Sequence, residues 1–252
     1  MPPKPVFITS DVHLGAVPPE TVSSFHRWLE YAGRLGRTVV VNGDLFDFWF
    51  EYKSAVPRGH SRTLGLLAEL VDSGVRIILL GGNHDWWGGT FLTDEIGVEF
   101  YPDPIRLELG GWSVLLAHGD GLGGGDRGYR VLKKVLRSGL AIHGFRWLHP
   151  DLGAALARRV SRTRERARDG YPRYGEARNA LIREWAEARL LDEPDLDIVA
   201  FGHTHLPDVT EFGQGRFIMN TGDWVYRRTF TRLEPGVPPR ILTWEGNDAR
   251  ER

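Results

Sequence analysis

Five polar motifs occur along the 252-residue chain, each close behind a short apolar run. Val6 to Thr9 leads to Asp11-Val12-His13, Val39 to Val41 to Gly43-Asp44, and Ile77 to Leu80 to Gly82-Asn83-His84-Asp85. Val114 to Ala117 leads to His118-Gly119-Asp120, and Ile198 to Phe201 to Gly202-His203-Thr204-His205. Runs of this length and β-branched content read as buried strands. Open α/β sheets collect ligands beyond the carboxyl ends of their strands, so five such ends would bring five motifs to one place. A lone Asp-x-His pair usually ends as turn or solvated residues; the order of all five is what restricts the fold.

Between residues 6 and 117 strand and helix patterns alternate. Val22, Phe25, Trp28, Leu29, Ala32 and Leu35 share one helical face, and Leu64 to Val71 behaves likewise ahead of Gly74. Alternation of this kind implies βαβ units and a parallel sheet. The pattern then changes to hairpins: Ile105 to Leu109 with Trp112 to Ala117, Asp208 to Phe212 with Arg216 to Asn220, and Thr229 to Leu233 with Arg240 to Trp244. The expected class is α/β, with two sheets and helices outside each. At this length one domain with an elaboration is expected: a core of residues 1–125 and 170–252, and a helical insertion at 126–169. The insertion follows Gly121-Leu122-Gly123-Gly124-Gly125, which reads as flexible, and shows helical periodicity in Tyr129 to Leu140 and Leu152 to Val160.

The chemistry follows from the residue types. No cysteine is present, so a metal must be held by imidazole, amide and carboxylate groups. By spacing, Asp11, His13, Asp44 and His205 suit one divalent ion, and Asp44, Asn83, His118 and His203 a second, with Asp44 as bridge. Two ions sharing a carboxylate and a hydroxide can drive in-line attack on phosphorus while neutralising phosphate oxygens. The mixed donor set suits manganese, iron, cobalt or zinc, with magnesium a further alternative, and not calcium. His84 is expected to face substrate, as proton donor or phosphate ligand, with Asp85 orienting its ring. Asp120 and Asp47 are expected to support ligating histidines from behind, Asp47 having an ordinary capping bond as its alternative. His26, His60, His143 and His149 read as ordinary polar residues. Phe48 to Phe50 and Trp86-Trp87 fit either core packing or a substrate rim.

The motif order resembles that of the calcineurin-like metallophosphoesterase superfamily over about residues 6–244. That resemblance implies a four-layer α-β-β-α sandwich with a two-metal centre, commonly manganese. More narrowly, Ser10 to Leu14, Gly43 to Trp49 and Asn220 to Trp224 resemble the UDP-2,3-diacylglucosamine pyrophosphatases, which carry a helical cap inserted after the H-G-D motif. The resemblance implies hydrolysis of a lipid-linked nucleotide diphosphate to UMP and a diacylglucosamine 1-phosphate in lipid A synthesis. The best-known form of that group has arginine in place of His84, and a second branch carries G-N-H-D as here.

About twelve Lys or Arg stand against about three acids between residues 126 and 168. Arg127, Arg130, Lys133, Lys134 and Arg158 are expected to meet diphosphate or an anionic membrane, and Leu136, Phe145 and Trp147 acyl chains. No run is long enough to span a bilayer, and the N-terminus lacks a signal-peptide pattern. The expected location is therefore cytoplasmic, peripheral on the inner membrane. No nucleic-acid partner is expected, and nothing sets an oligomeric state. The alternatives are a phosphodiesterase or phosphatase for soluble nucleotides or another lipid, and a scaffold that has lost catalysis.

Overall fold

A computed structural model describes residues 4–125, 127–161, 174–246 and 248–251, apart from the side chains of 156–161 and 174. Strands β1 (Val6–Thr9), β2 (Thr38–Asn42), β3 (Arg76–Leu80) and β4 (Glu99–Tyr101) pair in parallel, linked by α1 (Pro19–Leu35), α2 (Ser61–Asp72) and a π-helical turn (Phe91–Glu95). A second sheet holds β5 (Ile105–Leu109), β6 (Trp112–Leu116), β7 (Ile198–Phe201), β8 (Asp208–Glu211) and β9 (Phe217–Asn220), in the order β5-β6-β7-β9-β8. Between β6 and β7 run α3 (Arg127–Leu136), α4 (Gly139–Arg146), α5 (Pro150–Ser161) and α6 (Tyr174–Asp192). The chain then returns to the first sheet: β10 (Thr229–Glu234) lies antiparallel to β1, followed by β11 (Val237–Trp244) and β12 (Ala249–Glu251).

Side-chain alternation along the strands builds the layers. Ile8, Val40, Ile78 and Leu80 face Val114, Leu116, Ile198, Ala200 and Met219 across the space between the sheets. Phe7, Val39, Val41, Ile77 and Leu79 point the other way, onto Phe25, Trp28, Leu29 and Leu67 of α1 and α2. On the far side, Val199, Phe201 and Ile218 meet Ile182, Ala186 and Leu190 of α6. The result is the expected four-layer sandwich, with β1, β2, β3 and β7 covered on both faces and apolar almost throughout. Asn42, at the end of β2, pins the sheets together: its Nδ2 donates to the carbonyls of Ala117 and Ala200 at 3.1 and 3.2 Å. All three expected hairpins form, with Leu109 opposite Trp112, Asp208 opposite Asn220 and Arg232 opposite Arg240.

Candidate metal centre

The carboxyl ends of β1, β2, β3, β6 and β7 bring the five motifs together. Among the described residues, three sets of side chains have ligand atoms within 4.8 Å of one another: Asp11, His13 and His205; His13, Asp44 and His84; Asp44, His118 and His203. Asp44 is common to two of them. Its Oδ2 lies 3.2 Å from His118 Nε2 and 3.7 Å from His13 Nε2, while Asp11 Oδ1 lies 3.4 Å from His205 Nε2. Asn83 Oδ1 stands 3.3 Å from His118 Nε2. The His118 Nδ1–H donates to the Asn42 carbonyl at 3.0 Å, which leaves Nε2 to face the cluster.

The backbone is strained where these side chains project. Seven non-glycine residues among those described have positive φ, and five are Asp11 (53°), His13 (51°), Asp44 (54°), His203 (63°) and His205 (57°). Left-handed conformations cost L-residues energy and cluster where surrounding structure holds them for function. Close approach is just as tight. Gly43 has φ of 91°, and a Cβ there would enter the His118 ring; at Gly82 it would overlap Asp44 Oδ1.

The buried titratable groups of the centre shift one another. Burial pushes Asp11 up to about 6, with the His118 imidazole opposing and the Asp44 carboxylate adding to the rise. Against the same burial, His118, His84 and His13 hold Asp44 well below the carboxylate range. Burial works to lower His118, but Asp44 outweighs it and lifts the imidazole to about 10. His205 is held well below its ordinary value by burial and by His13 and His203. Asp11 Oδ1 and His13 Nε2 are buried without a hydrogen-bond partner. Orphan lone pairs of this kind, converging with carboxylates, fit the donor set of divalent ions.

Residues 4–207 match the family model described as calcineurin-like phosphoesterase. The chain belongs to that family. It is therefore a metal-dependent hydrolase, and its family implies divalent ions at this centre. The calcineurin-like phosphoesterase is 33% identical over 236 residues to "UDP-2,3-diacylglucosamine hydrolase" of Porphyromonas gingivalis, a match covering 87% of this chain and 90% of that protein. It is 30% identical over 251 residues to the protein of the same name in Ralstonia nicotianae, covering 92% and 90%. With the Ectopseudomonas mendocina protein of that name, identity is 32% over 222 residues, covering 87% and 90%.

Around this centre, several expected roles come out differently. His84 lies beside the expected ligands: its Nε2 is 4.0 Å from Asp44 Oδ2, and its ring meets His13 edge-on at 4.8 Å. Asp85 does not orient that ring. Its carboxylate accepts from the backbone N–H groups of Gly82, Phe46 and Asp44 at 2.8, 3.1 and 3.2 Å, pinning two motif turns together. The His84 Nδ1–H donates instead to the Asp47 carbonyl at 2.9 Å, and the Asp47 carboxylate lies 3.5 Å from His13 Nδ1. Asp120 interacts electrostatically with His118 and His203 and also holds the insertion. Its Oδ2 pairs with Lys133 Nζ at 2.7 Å and accepts from the Tyr129 hydroxyl at 2.9 Å.

The insertion is tied down by residues expected to meet substrate. Lys133 is held by Asp120, and Arg130 donates to the Gly123 carbonyl at 2.8 Å. Arg137 pairs with Asp103 at 2.6 Å and lies 4.7 Å above the Trp86 ring. Phe145 packs on Phe50 and Trp87 at 4.6 and 4.9 Å, so those aromatics join the insertion to the core. Arg127 and Lys134 are exposed, as are Leu136 and, at 81%, Trp147; the Arg158 side chain lies outside the described residues. Histidines outside the motifs are ordinary: His26 bonds Thr63 at 2.8 Å, and His60 is buried against Phe46. Sequence reasoning missed Arg178 and Asn179, and gave Asn220 no role beyond its place in a family-like motif. None lies in a ligand motif, and only the later return of α6 and β9 brings them to the centre.

Proposed function

We propose that this phosphoesterase hydrolyses UDP-2,3-diacylglucosamine or a close lipid-linked analogue, water cleaving the diphosphate to UMP and a diacylglucosamine 1-phosphate. The supporting observation is where the exposed large apolar residues gather. Val131, Leu132, Val135, Leu136, Leu140, Trp147, Leu148 and Leu152 all lie on the insertion, with Leu140 87% exposed. Lys133 and Tyr129 join this surface to Asp120, two residues beyond the expected ligand His118. A substrate with acyl chains on one side and a diphosphate on the other matches that juxtaposition, and the relatives' shared name agrees with it.

Asp11, His13, Asp44 and His205 would hold one divalent ion and Asp44, Asn83, His118 and His203 the other, with manganese the expected metal. When bound, the pair supplies charge neutralisation for phosphoryl oxygens and activates water at neutral pH. His84, with Nδ1–H committed to the Asp47 carbonyl, presents Nε2 to the centre, where it donates to or protonates a phosphate oxygen when the ring is the imidazolium. Asp47 and Asn42 keep His84, His13 and His118 in position. The basic and apolar insertion would rest on the cytoplasmic face of the inner membrane; among the described residues no helix is long and apolar enough to cross it.

Incubation with detergent-solubilised UDP-2,3-diacylglucosamine and manganese is expected to release UMP. If UMP fails to appear while a soluble aryl phosphodiester is turned over, the lipid reading falls and the soluble-ester alternative stands.

A further inference from the structure

We propose that Asn179, on the helix that returns from the insertion, positions the turn carrying His203 and His205 and so sets the metal affinity of the centre. The inference rests on the reading that these two histidines hold different ions. Thr204 lies between them, and both neighbours have left-handed backbone, with φ of 63° and 57°. Such conformations persist only where surrounding contacts enforce them.

Two contacts from the core reach this turn, and a third closes within it. The His203 N–H donates to Asp11 Oδ2 at 2.9 Å, the Arg227 guanidinium donates to the His205 carbonyl at 3.0 Å, and the Thr204 N–H donates to the Gly202 carbonyl at 2.6 Å. The fourth anchor is a triangle of side chains. Thr204 Oγ1–H donates to Asn179 Oδ1 at 2.8 Å, and Asn220 Nδ2 donates to both Asn179 Oδ1 (2.9 Å) and Thr204 Oγ1 (2.7 Å). Asn220 Oδ1 accepts from the Gly222 N–H at 3.0 Å, so its amide cannot turn over without losing that bond. Reversing Asn179 would set its amino group against that of Asn220. Thr204 and Asn220 are buried, where an unmet polar group is costly and a satisfied network fixes one geometry.

The triangle is also the turn's link to α6. The preceding residue, Arg178, donates to the carbonyls of Leu122 and Gly124 in the segment that follows His118. Two consecutive residues of one helix therefore support segments from two separate motifs. The insertion and the centre share this helix, so α6 carries alignment from one to the other.

Thr204→Val and Asn179→Leu keep shape and remove the hydroxyl or the acceptor, while Thr204→Ser and Asn179→Asp retain them. Manganese affinity and stoichiometry would be measured by calorimetry and metal analysis on folded protein, alongside kcat and KM. The first pair is expected to bind manganese about 10- to 100-fold more weakly, with kcat reduced and KM little changed, and the second pair to restore affinity to within about threefold. Wild-type affinity in folded Thr204→Val and Asn179→Leu would overturn the proposal, leaving the triangle a packing feature. Should either fail to fold, Asn179→Ser, which leaves the Thr204 to Asn220 bond intact, must still weaken binding; unchanged affinity there would also overturn it. A wild-type chain that binds no manganese pair would instead remove the two-ion reading beneath it.

Discussion

Asp47 serves two imidazoles from one position. Its carboxylate oxygen lies 3.5 Å from His13 Nδ1 and 3.7 Å from His84 Nδ1. Partners of this kind fix ring orientation, and their loss commonly costs about 10- to 100-fold in metal affinity or activity. Asp47→Ala is expected to fall in that range in manganese titrations and UMP-release rates, and wild-type values for both would remove the role. Gly82→Ala is expected to be worse for the centre than for the fold, because the new methyl overlaps Asp44 Oδ1. Denaturant melts should show about 1–3 kcal/mol lost, as for an overpacked site, with metal binding largely abolished; retained binding would contradict the geometry. At this scale residue types and spacing identify which side chains gather. The role of Asp85 was not legible, because a residue next in sequence to a site histidine need not share its direction.

Between the insertion and the core the joints are ionic and aromatic. Lys133→Met would take from the buried Asp120 carboxylate its direct ion-pair partner, leaving the Tyr129 hydroxyl, at a cost of about 1.5–3 kcal/mol, to be read from chemical denaturation. Unchanged stability would mean the pair is solvated and idle. The start of α2 makes a pH prediction. His60 stacks edge-on against Phe46 at 4.7 Å, and burial lowers its imidazole to about 4 from 6.5. Below pH 6.5 the unfolded chain takes up a proton that the folded chain refuses until about pH 4, so stability from this residue is full above 6.5 and declines across that window. Relative to His60→Gln, the wild-type chain should lose up to about 1.4 kcal/mol per pH unit there. A difference independent of pH would acquit His60. Strands and hairpins were legible because their alternation is local. The glycine run at 121–125 was not: it reads as flexible, yet Arg130 and Arg178 hold its carbonyls from helices that follow it in sequence.

For the molecule as a whole, the two-sheet plan follows from the change of βαβ units to hairpins, and the four layers from the double-sided burial of the strands. Which sheet the final hairpin joins was not legible, since β10 pairs with β1 more than 200 residues away, for example Phe7 with Arg232. Metal should stabilise the whole chain, because only the folded state assembles the centre. At about 100 times the dissociation constant the gain is about 2.7 kcal/mol, so chelation should lower the melting temperature as well as halt hydrolysis, and manganese should restore both. A melting temperature indifferent to chelator would argue against ion binding. Vesicles with anionic lipid are expected to bind the chain less as salt rises from low to physiological strength, through basic residues such as Arg127 and Lys134; binding unaffected by salt would point to apolar insertion alone. The five left-handed residues of the centre have a consequence for selection. Each costs about 1–2 kcal/mol, a total comparable with the net stability of a domain. Glycine at His203 or His205 would release part of that strain, so a library screened for heat resistance without metal should enrich chains that have traded their hydrolytic centre for robustness.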